Sequence, residues 1–163
     1  MPIYMRITKK GLPFLTGDAT AKGHEKWIEL SSVQMGVSGS IAPNGEDREA
    51  SAPNVSEIVI TKSMDSASMA LWNQSLNGEG VTIQIDFVKS GGNKSPYLTY
   101  TLQNALISGY QPGPSRSDGL TESLSLNFTK MTFDTHGTGP DVSGHAEGLM
   151  RIWNASPETR CIR

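Results

Sequence analysis

The sequence predicts a mainly β fold with one helix, and three observations support this. The chain has 163 residues, of which 17 are glycine and nine are proline, and many of these lie in short clusters typical of turns. Between the clusters, apolar and polar residues alternate over stretches of strand length. Only one stretch, from Asp65 to Gly78, instead places its apolar residues convincingly at helical spacing.

Composition and charge exclude several kinds of partner. The chain has 14 basic and 16 acidic side chains and no basic cluster, so we expect no nucleic-acid partner. No apolar run approaches the ~20 residues of a membrane helix, so we expect no membrane insertion. The N-terminus lacks the pattern of a classical signal peptide. The single cysteine, Cys161, excludes an intrachain disulfide and lies too near the end to be a well-held nucleophile.

The first half of the chain contains three predicted strands, over residues 3–7, 27–37 and 55–62. A loop over residues 9–23 separates the first two. The second strand is longer than the ~6 residues that are usual, which indicates a bend or a bulge, and Gly36 is suited to form it.

The longest stretch without a structural pattern covers residues 38–53. Loops of about fifteen residues within a compact domain are usually functional or disordered. Its charges are concentrated in Glu46, Asp47, Arg48 and Glu49. Two interpretations stay open, a solvated surface loop and an arm that contacts a partner.

The helix is predicted to begin at Asp65 or Ser66, either of which can cap its N-terminus. Gly78 can end it in the left-handed conformation. Three apolar side chains recur at helical spacing with a fourth beside them, and we expect them to pack against the sheet and not to form a cofactor site: Met69, Trp72 and Leu76, with Leu71 beside them.

The second half predicts three strong strands and a short closing strand, over residues 81–87, 97–107, 120–133 and 149–153. The first two form a hairpin, and the Gln-Pro-Gly-Pro segment at residues 111–114 ends the second. The apolar phase of the third strand changes, which indicates a bulge near Lys130. We expect one domain over residues 1–155 and a disordered tail over residues 156–163.

The polar faces of the last strong strands carry no charge. Residues 97–111 contain no charged side chain, and their outward phase is expected to include Thr99, Thr101 and Gln103. Solvated strand faces usually carry lysine and glutamate. Because interface cores are depleted in charge, these faces suit a surface that meets other protein or lines a water-filled passage. Simple strand propensity explains the composition equally well, and both interpretations stay open.

The sequence contains no recognisable catalytic, cofactor or metal motif, so we expect neither enzymatic activity nor a cofactor. His24, His136 and His145 lie in predicted loops without the neighbours of a metal site, although a pairing of distant histidines stays open. Next to Trp27, His24 is expected to enter a strand and not to act in acid–base chemistry. There is no phosphate-binding glycine loop and no nucleophile elbow.

Six stretches, taken in order, resemble the haemolysin-coregulated protein (Hcp) family, the tube protein of bacterial type VI secretion systems. They are residues 17–24 leading into 27–30, residues 48–53, residues 56–62 with Met64 and Asp65, residues 85–89, residues 106–110, and residues 120–128. The chain departs from the family pattern after Phe133. Further along the chain, Trp153 and Asn154 resemble the end of the family's last strand.

The resemblance implies a compact antiparallel β-barrel with one flanking helix that assembles into hexameric rings. The rings would stack into a tube that carries a trimeric spike protein, lies inside a contractile sheath and holds effector proteins in its lumen. Such a subunit would assemble in the bacterial cytoplasm and then be secreted to the exterior or into target cells without a signal peptide.

The resemblance also implies which residues form contacts. The loop over residues 38–53 corresponds to an extended loop that meets the next ring, and Gln34 is expected to face the lumen. The candidate stacking residues are Asn44, Glu46, Asp47, Arg48, Glu49 and Ser51. The alternative function is a small β-barrel module that binds a ligand such as carbohydrate on Trp27, Trp72 or Tyr110.

Overall fold

The computed structural model describes residues 1–38, 54–91, 95–115, 119–136 and 151–154. This part of the chain contains one helix, α1 Ser68–Leu76, and twelve strands. In chain order the strands are β1 Ile3–Lys9, β2 Leu12–Leu15, β3 Ile28–Leu30, β4 Ser32–Gln34, β5 Val37–Ser38, β6 Asn54–Val55, β7 Ile58–Ser63, β8 Val81–Val88, β9 Pro96–Ser115, β10 Gly119–Asn127, β11 Lys130–Thr135 and β12 Arg151–Asn154.

The strands close into an antiparallel barrel, which confirms the predicted fold class. β1, β8, β9, β10 and β7 pair in this order. β3 and β4 complete the circuit, because β3 pairs with β1 and β4 pairs with β7. Between them, the N–H of Ser31 donates to the carbonyl of Thr61 at 2.8 Å. The long predicted strand therefore breaks at Ser31, where it changes partner, and again at Met35 and Gly36, before β5. The second break agrees with the irregularity predicted at Gly36.

The barrel has two walls. The first wall contains β1, β8 and residues 96–105 of β9, and the second contains β4, β7, β10 and residues 106–115 of β9. β9 therefore runs from one wall to the other. The prediction that residues 111–114 end this strand was wrong, since Pro112 and Pro114 continue the ladder opposite Glu122 and Leu120. Among the described strands, this half of β9 has a partner on one side only, and an edge tolerates proline.

Aliphatic side chains from both walls fill the barrel, and burial of each contributes ~1.5–3 kcal/mol. The apolar phase changes as predicted, since both Phe128 and Met131 are buried, but the cause is a break between β10 and β11 and not a bulge near Lys130. The fully buried aliphatic core includes Met5, Ile7, Ile58, Ile60, Ile83, Ile85, Leu102, Leu124 and Leu126.

The helix differs from its prediction in its ends and in its orientation. It begins at Ser68 and ends at Leu76, and Gly78 does not adopt the left-handed conformation. The side chain of Asp65 forms the preceding turn, where it accepts the N–H of Ala67 at 2.9 Å.

The side chains expected to pack against the sheet are mostly exposed, so this prediction was wrong. Met69, Trp72 and Leu76 are 65%, 45% and 63% exposed. Leu71 packs into the barrel core instead, together with Ala67 just before the helix. The physical reason is that the helix turns Ser68, Leu71 and Gln74 towards the barrel, so the opposite side of the helix faces away from it.

Two short strands, β2 and β12, lie at the edges of the sheet. The predicted loop over residues 9–23 contains β2, which pairs with β1 although Leu12 is exposed. The predicted closing strand is present as β12, which pairs with β11. Residues 155–163 lie outside the described part, so the domain boundary and the tail stay predictions. In the described part, no helix is long and apolar enough to cross a membrane.

Candidate functional surfaces

The outward side of the second wall is a sheet face without charged side chains. Strand alternation turns isoleucines and leucines of β7 and β10 inward and places small polar residues on the other side. Directly paired residues share a face, so Ser123 lies beside Thr61, and Thr61 beside Ser32. We call this surface the hydroxyl face: Ser32, Gln34, Val59, Thr61, Ser63, Gln111, Thr121, Ser123, Ser125 and Asn127.

Hydrogen bonds between side chains organise this face. The hydroxyl groups of Ser32 and Thr61 lie 2.6 Å apart. At the rim, the side-chain amide of Asn127 donates to the Glu57 carboxylate at 3.2 Å. Gln34 is exposed and lies opposite Val59 within the face. Apart from Glu57 at the rim, the result is an open surface whose hydrogen-bonding side chains are neutral.

The six predicted stacking residues are not brought into any site by the described structure. Asn44, Glu46, Asp47, Arg48, Glu49 and Ser51 all lie outside the described residues.

The outward side of the first wall is covered by residues 16–27, which we call the clasp. The N–H of Gly17 donates to the carbonyl of Lys26 at 2.8 Å, and this closes the base of the clasp. A Cβ at Gly17 would lie 2.5 Å from the carbonyl oxygen of Trp27, so no other residue fits there without a shift. Ala19 packs against Tyr4 and Val88 on the outer side of the wall.

A buried histidine fixes the clasp to the barrel. His24 is 4% exposed, and its Nε2 lies 2.9 Å from an Asp86 carboxylate oxygen. The other Asp86 oxygen accepts from Thr99 at 2.9 Å and from Gln84 at 3.0 Å. Tyr4 stacks on the imidazole with ring centroids 4.8 Å apart. From the sequence, His24 was predicted to lie in a loop and Thr99 to be exposed. The signal it missed was Asp86, a carboxylate on the polar phase of a regular strand.

A second polar cluster lies inside the barrel. The Lys62 ammonium is completely buried and donates to Glu122 at 3.0 Å, to Asp65 at 2.8 Å and to the Ser63 carbonyl at 2.7 Å. Tyr110 donates to the other oxygen of Glu122 at 2.6 Å. Every charge has an opposite charge or a hydrogen bond, which suits a structural role.

The pKa values of this cluster follow from its contacts. Burial, followed by the hydrogen bond to Glu122 and its negative charge, raises the pKa of Tyr110 to about 12. Burial alone would raise the pKa of Glu122. Hydrogen bonds from Tyr110, Ser68 and Lys62 and the charge of Lys62 outweigh burial and hold that pKa below its usual value.

The candidate ligand-stacking rings are mostly occupied. Arg6 lies over the Trp27 ring at 4.8 Å, and the edge of His24 contacts the same indole. Tyr110 packs against the core. Trp72 is exposed, which leaves one of the three rings free for a ligand. Among the described residues, no group of three or more histidine, cysteine and acidic side chains could hold a metal ion.

Solved structures show that this fold has close counterparts. A type six secretion system protein aligns with a TM-score of 0.80 and 20% identity over 94% of each chain. A variant of Hcp1 from E. coli EAEC 042 aligns with a TM-score of 0.78 and 16% identity, over 96% of this chain and 99% of that one. A type VI secretion system effector from Yersinia pestis aligns with a TM-score of 0.69 and 19% identity, over 93% of this chain and 98% of that one. A comparison with curated proteins gives no match.

The family follows from a direct match to the sequence. The family model described as "Type VI secretion system effector, Hcp" matches residues 4–134, which is most of the chain. Proteins of this family are secreted, structural components of the secretion tube, so the ligand-binding module considered above is not favoured. The chain therefore belongs to the Hcp family and has the role of a type VI secretion tube and effector protein.

Proposed function

We propose that this chain forms hexameric rings whose lumen is lined by the hydroxyl face. The observation that carries the proposal is the contrast between the two walls of the barrel. The clasp covers the first wall, whereas the second wall is open and presents only neutral side chains across four strands. In a ring, one side of each subunit faces the lumen, and the hydroxyl face suits that side.

The chemistry of this face fits a passage for other proteins. Fixed charges on a lumen would hold cargo of the opposite charge and repel cargo of the same charge. Hydroxyl and amide groups keep the surface wet and let water exchange with cargo. In this arrangement Gln34 lies on the lumen surface, next to Val59. Effector proteins are then the partners that enter the ring.

The remaining partners follow from stacking of the rings into a tube. The arm over residues 38–53 contacts the next ring through the stacking residues named above. The tube carries a trimeric spike protein at its tip and lies inside a contractile sheath. The subunit assembles in the cytoplasm and leaves the cell when the tube is ejected.

Labelling of two matched cysteines tests the direction of the hydroxyl face. Both variants carry Cys161→Ser; one adds Gln34→Cys on the hydroxyl face, and the other adds Gln103→Cys on the first wall, where the glutamine is also exposed. In rings isolated by size, a small maleimide should label both cysteines. A maleimide on a bulky polymer should label the cysteine at position 34 at least about ten-fold more slowly. Equal rates with the bulky reagent would contradict the lumen assignment.

A further inference from the structure

The exposed side of α1 has a composition that a solvated helix surface rarely has. Met69, Trp72 and Leu76 lie one turn apart along the helix and are all exposed, together with Asn73. We call these four residues the helix face. Ser68–Leu76 contains no lysine, arginine, aspartate or glutamate. Surface helices of monomers usually carry charges on their exposed side.

This composition is the one that protein–protein contacts favour. Interface cores are enriched in aromatic residues and methionine and depleted in charge. A buried tryptophan is among the commonest residues to dominate the binding energy of a contact. The helix face therefore has the character of a surface that is covered in the assembled protein.

The position of the helix indicates which partner covers it. Leu71 packs into the core, and the helix lies beside β9, the strand that passes from the first wall to the second. Just after the helix, a Cβ at Gly78 would lie 3.3 Å from Leu106, at the start of the second half of β9. The helix thus lies on the flank of the barrel, between the two walls. When the hydroxyl face points to the lumen and the first wall points outward, the flanks are the sides of the subunit that remain for contacts between copies of the chain.

We propose that the helix face is buried against a second copy of this chain within the ring. The proposal rests on the proposed ring. It adds the location of one side of the subunit contact. In a closed ring each contact joins two different surfaces, so the helix face of one copy meets another part of its neighbour. Trp72 is the expected anchor of this contact.

A polar variant of the helix face tests this directly. Met69→Ser together with Trp72→Ser should weaken subunit association at least about 30-fold, the effect of losing one dominant interface contact. Light scattering coupled to size separation should then show mainly monomer at concentrations where the parent chain forms rings. The control is Leu12→Ser on β2, an exposed leucine at the edge of the first wall, and it should leave the rings as stable as those of the parent chain. Rings of unchanged stability in the double variant would overturn the proposal.

A fluorescence measurement keeps the proposal testable if the double variant folds poorly. Trp27→Phe with Trp153→Phe leaves Trp72 as the single tryptophan. In isolated rings, acrylamide should quench Trp72 several-fold less than it quenches a free indole. Rings in which Trp72 is quenched like free indole would overturn the helix contact and leave the ring itself intact. Absence of rings from the parent chain would contradict the proposed function and the helix contact together.

Discussion

At the scale of single residues, Lys62 and Glu122 place opposite charges inside the barrel, at directly paired positions of β7 and β10. Removing one partner of a buried pair leaves an uncompensated charge and strongly destabilises a protein. The intact pair adds little net stability, because the cost of removing both charges from water offsets their attraction. The two serve the fold because Asp65, Ser68 and Tyr110 satisfy their remaining hydrogen bonds. A sequence pattern does not show such a pair, since each charge occupies a position that alternation assigns to an apolar side chain.

The first prediction is that Glu122→Leu lowers the free energy of unfolding by about 3–5 kcal/mol, because Lys62 and Tyr110 lose their buried partner. Urea unfolding at pH 7 measures this change. The double variant Lys62→Met with Glu122→Leu should lose less than Glu122→Leu alone. Glu57→Gln at the exposed rim should change stability by under about 0.5 kcal/mol. A double variant that is less stable than the single variant would contradict this account of the pair.

The second prediction concerns acid. The folded chain holds the pKa of Glu122 below its unfolded value, so its ionisation stabilises the fold above the unfolded value of ~4.3. That contribution is lost as the pH falls through the folded pKa. Thermal unfolding from pH 7 to pH 3 should therefore show a falling midpoint below about pH 4.5. Glu122→Gln should show a smaller fall over the same range, and an equal fall would assign the acid sensitivity to other carboxylates.

At the scale of elements, His24 makes a buried polar contact between the clasp and the first wall, where it meets Asp86 and stacks on Tyr4. The third prediction is that His24→Ala loosens the clasp while the barrel stays folded. Trypsin should then cleave after Lys22 or Lys26 about ten-fold faster than in the parent chain. The control is His136→Ala, which removes an exposed histidine near Asp134. Equal protection of the clasp in both variants would show that His24 does not hold it.

The alternation of apolar and polar residues predicted the strands that have one buried face. It did not predict β2 or the closing of the barrel. β1, β7, β8 and β10 were predicted because a buried face imposes alternation. β2 was missed because its exposed Leu12 and the proline of its Leu-Pro-Phe-Leu sequence break that pattern. The closing of the barrel at Ser31 was missed because it depends on two strands that are remote in sequence.

Sequence patterns also did not show which polar and apolar side chains form the exposed surfaces. Apolar spacing predicted that Met69, Trp72 and Leu76 pack against the sheet, but periodicity does not distinguish the protein's own sheet from a second molecule. The uncharged phase of β10 was readable from sequence, whereas Thr99, with the same appearance, is bonded to Asp86 beneath the clasp. The assignment of Gln34 to the lumen came from the resemblance to the family and remains a proposal.

At the scale of the whole molecule, the proposed function depends on surfaces that repeat around a ring, and the proposed stacking contacts of residues 38–53 join one ring to the next. The fourth prediction is that deletion of residues 44–49 leaves rings intact but shortens or abolishes stacks of rings. Electron micrographs of stained samples at matched concentrations measure both outcomes. Loss of the rings together with loss of strand signal in circular dichroism would show that this segment supports the fold instead.

The mass of the purified chain in solution tests the ring most directly. Light scattering should give about six times the 17.6 kDa of one chain, and stained particles should show a central hole. The hole matters because a compact hexamer without one would not expose the hydroxyl face to cargo. A mass of one chain across a wide range of protein concentration, salt and pH would contradict the ring and every surface assignment that depends on it.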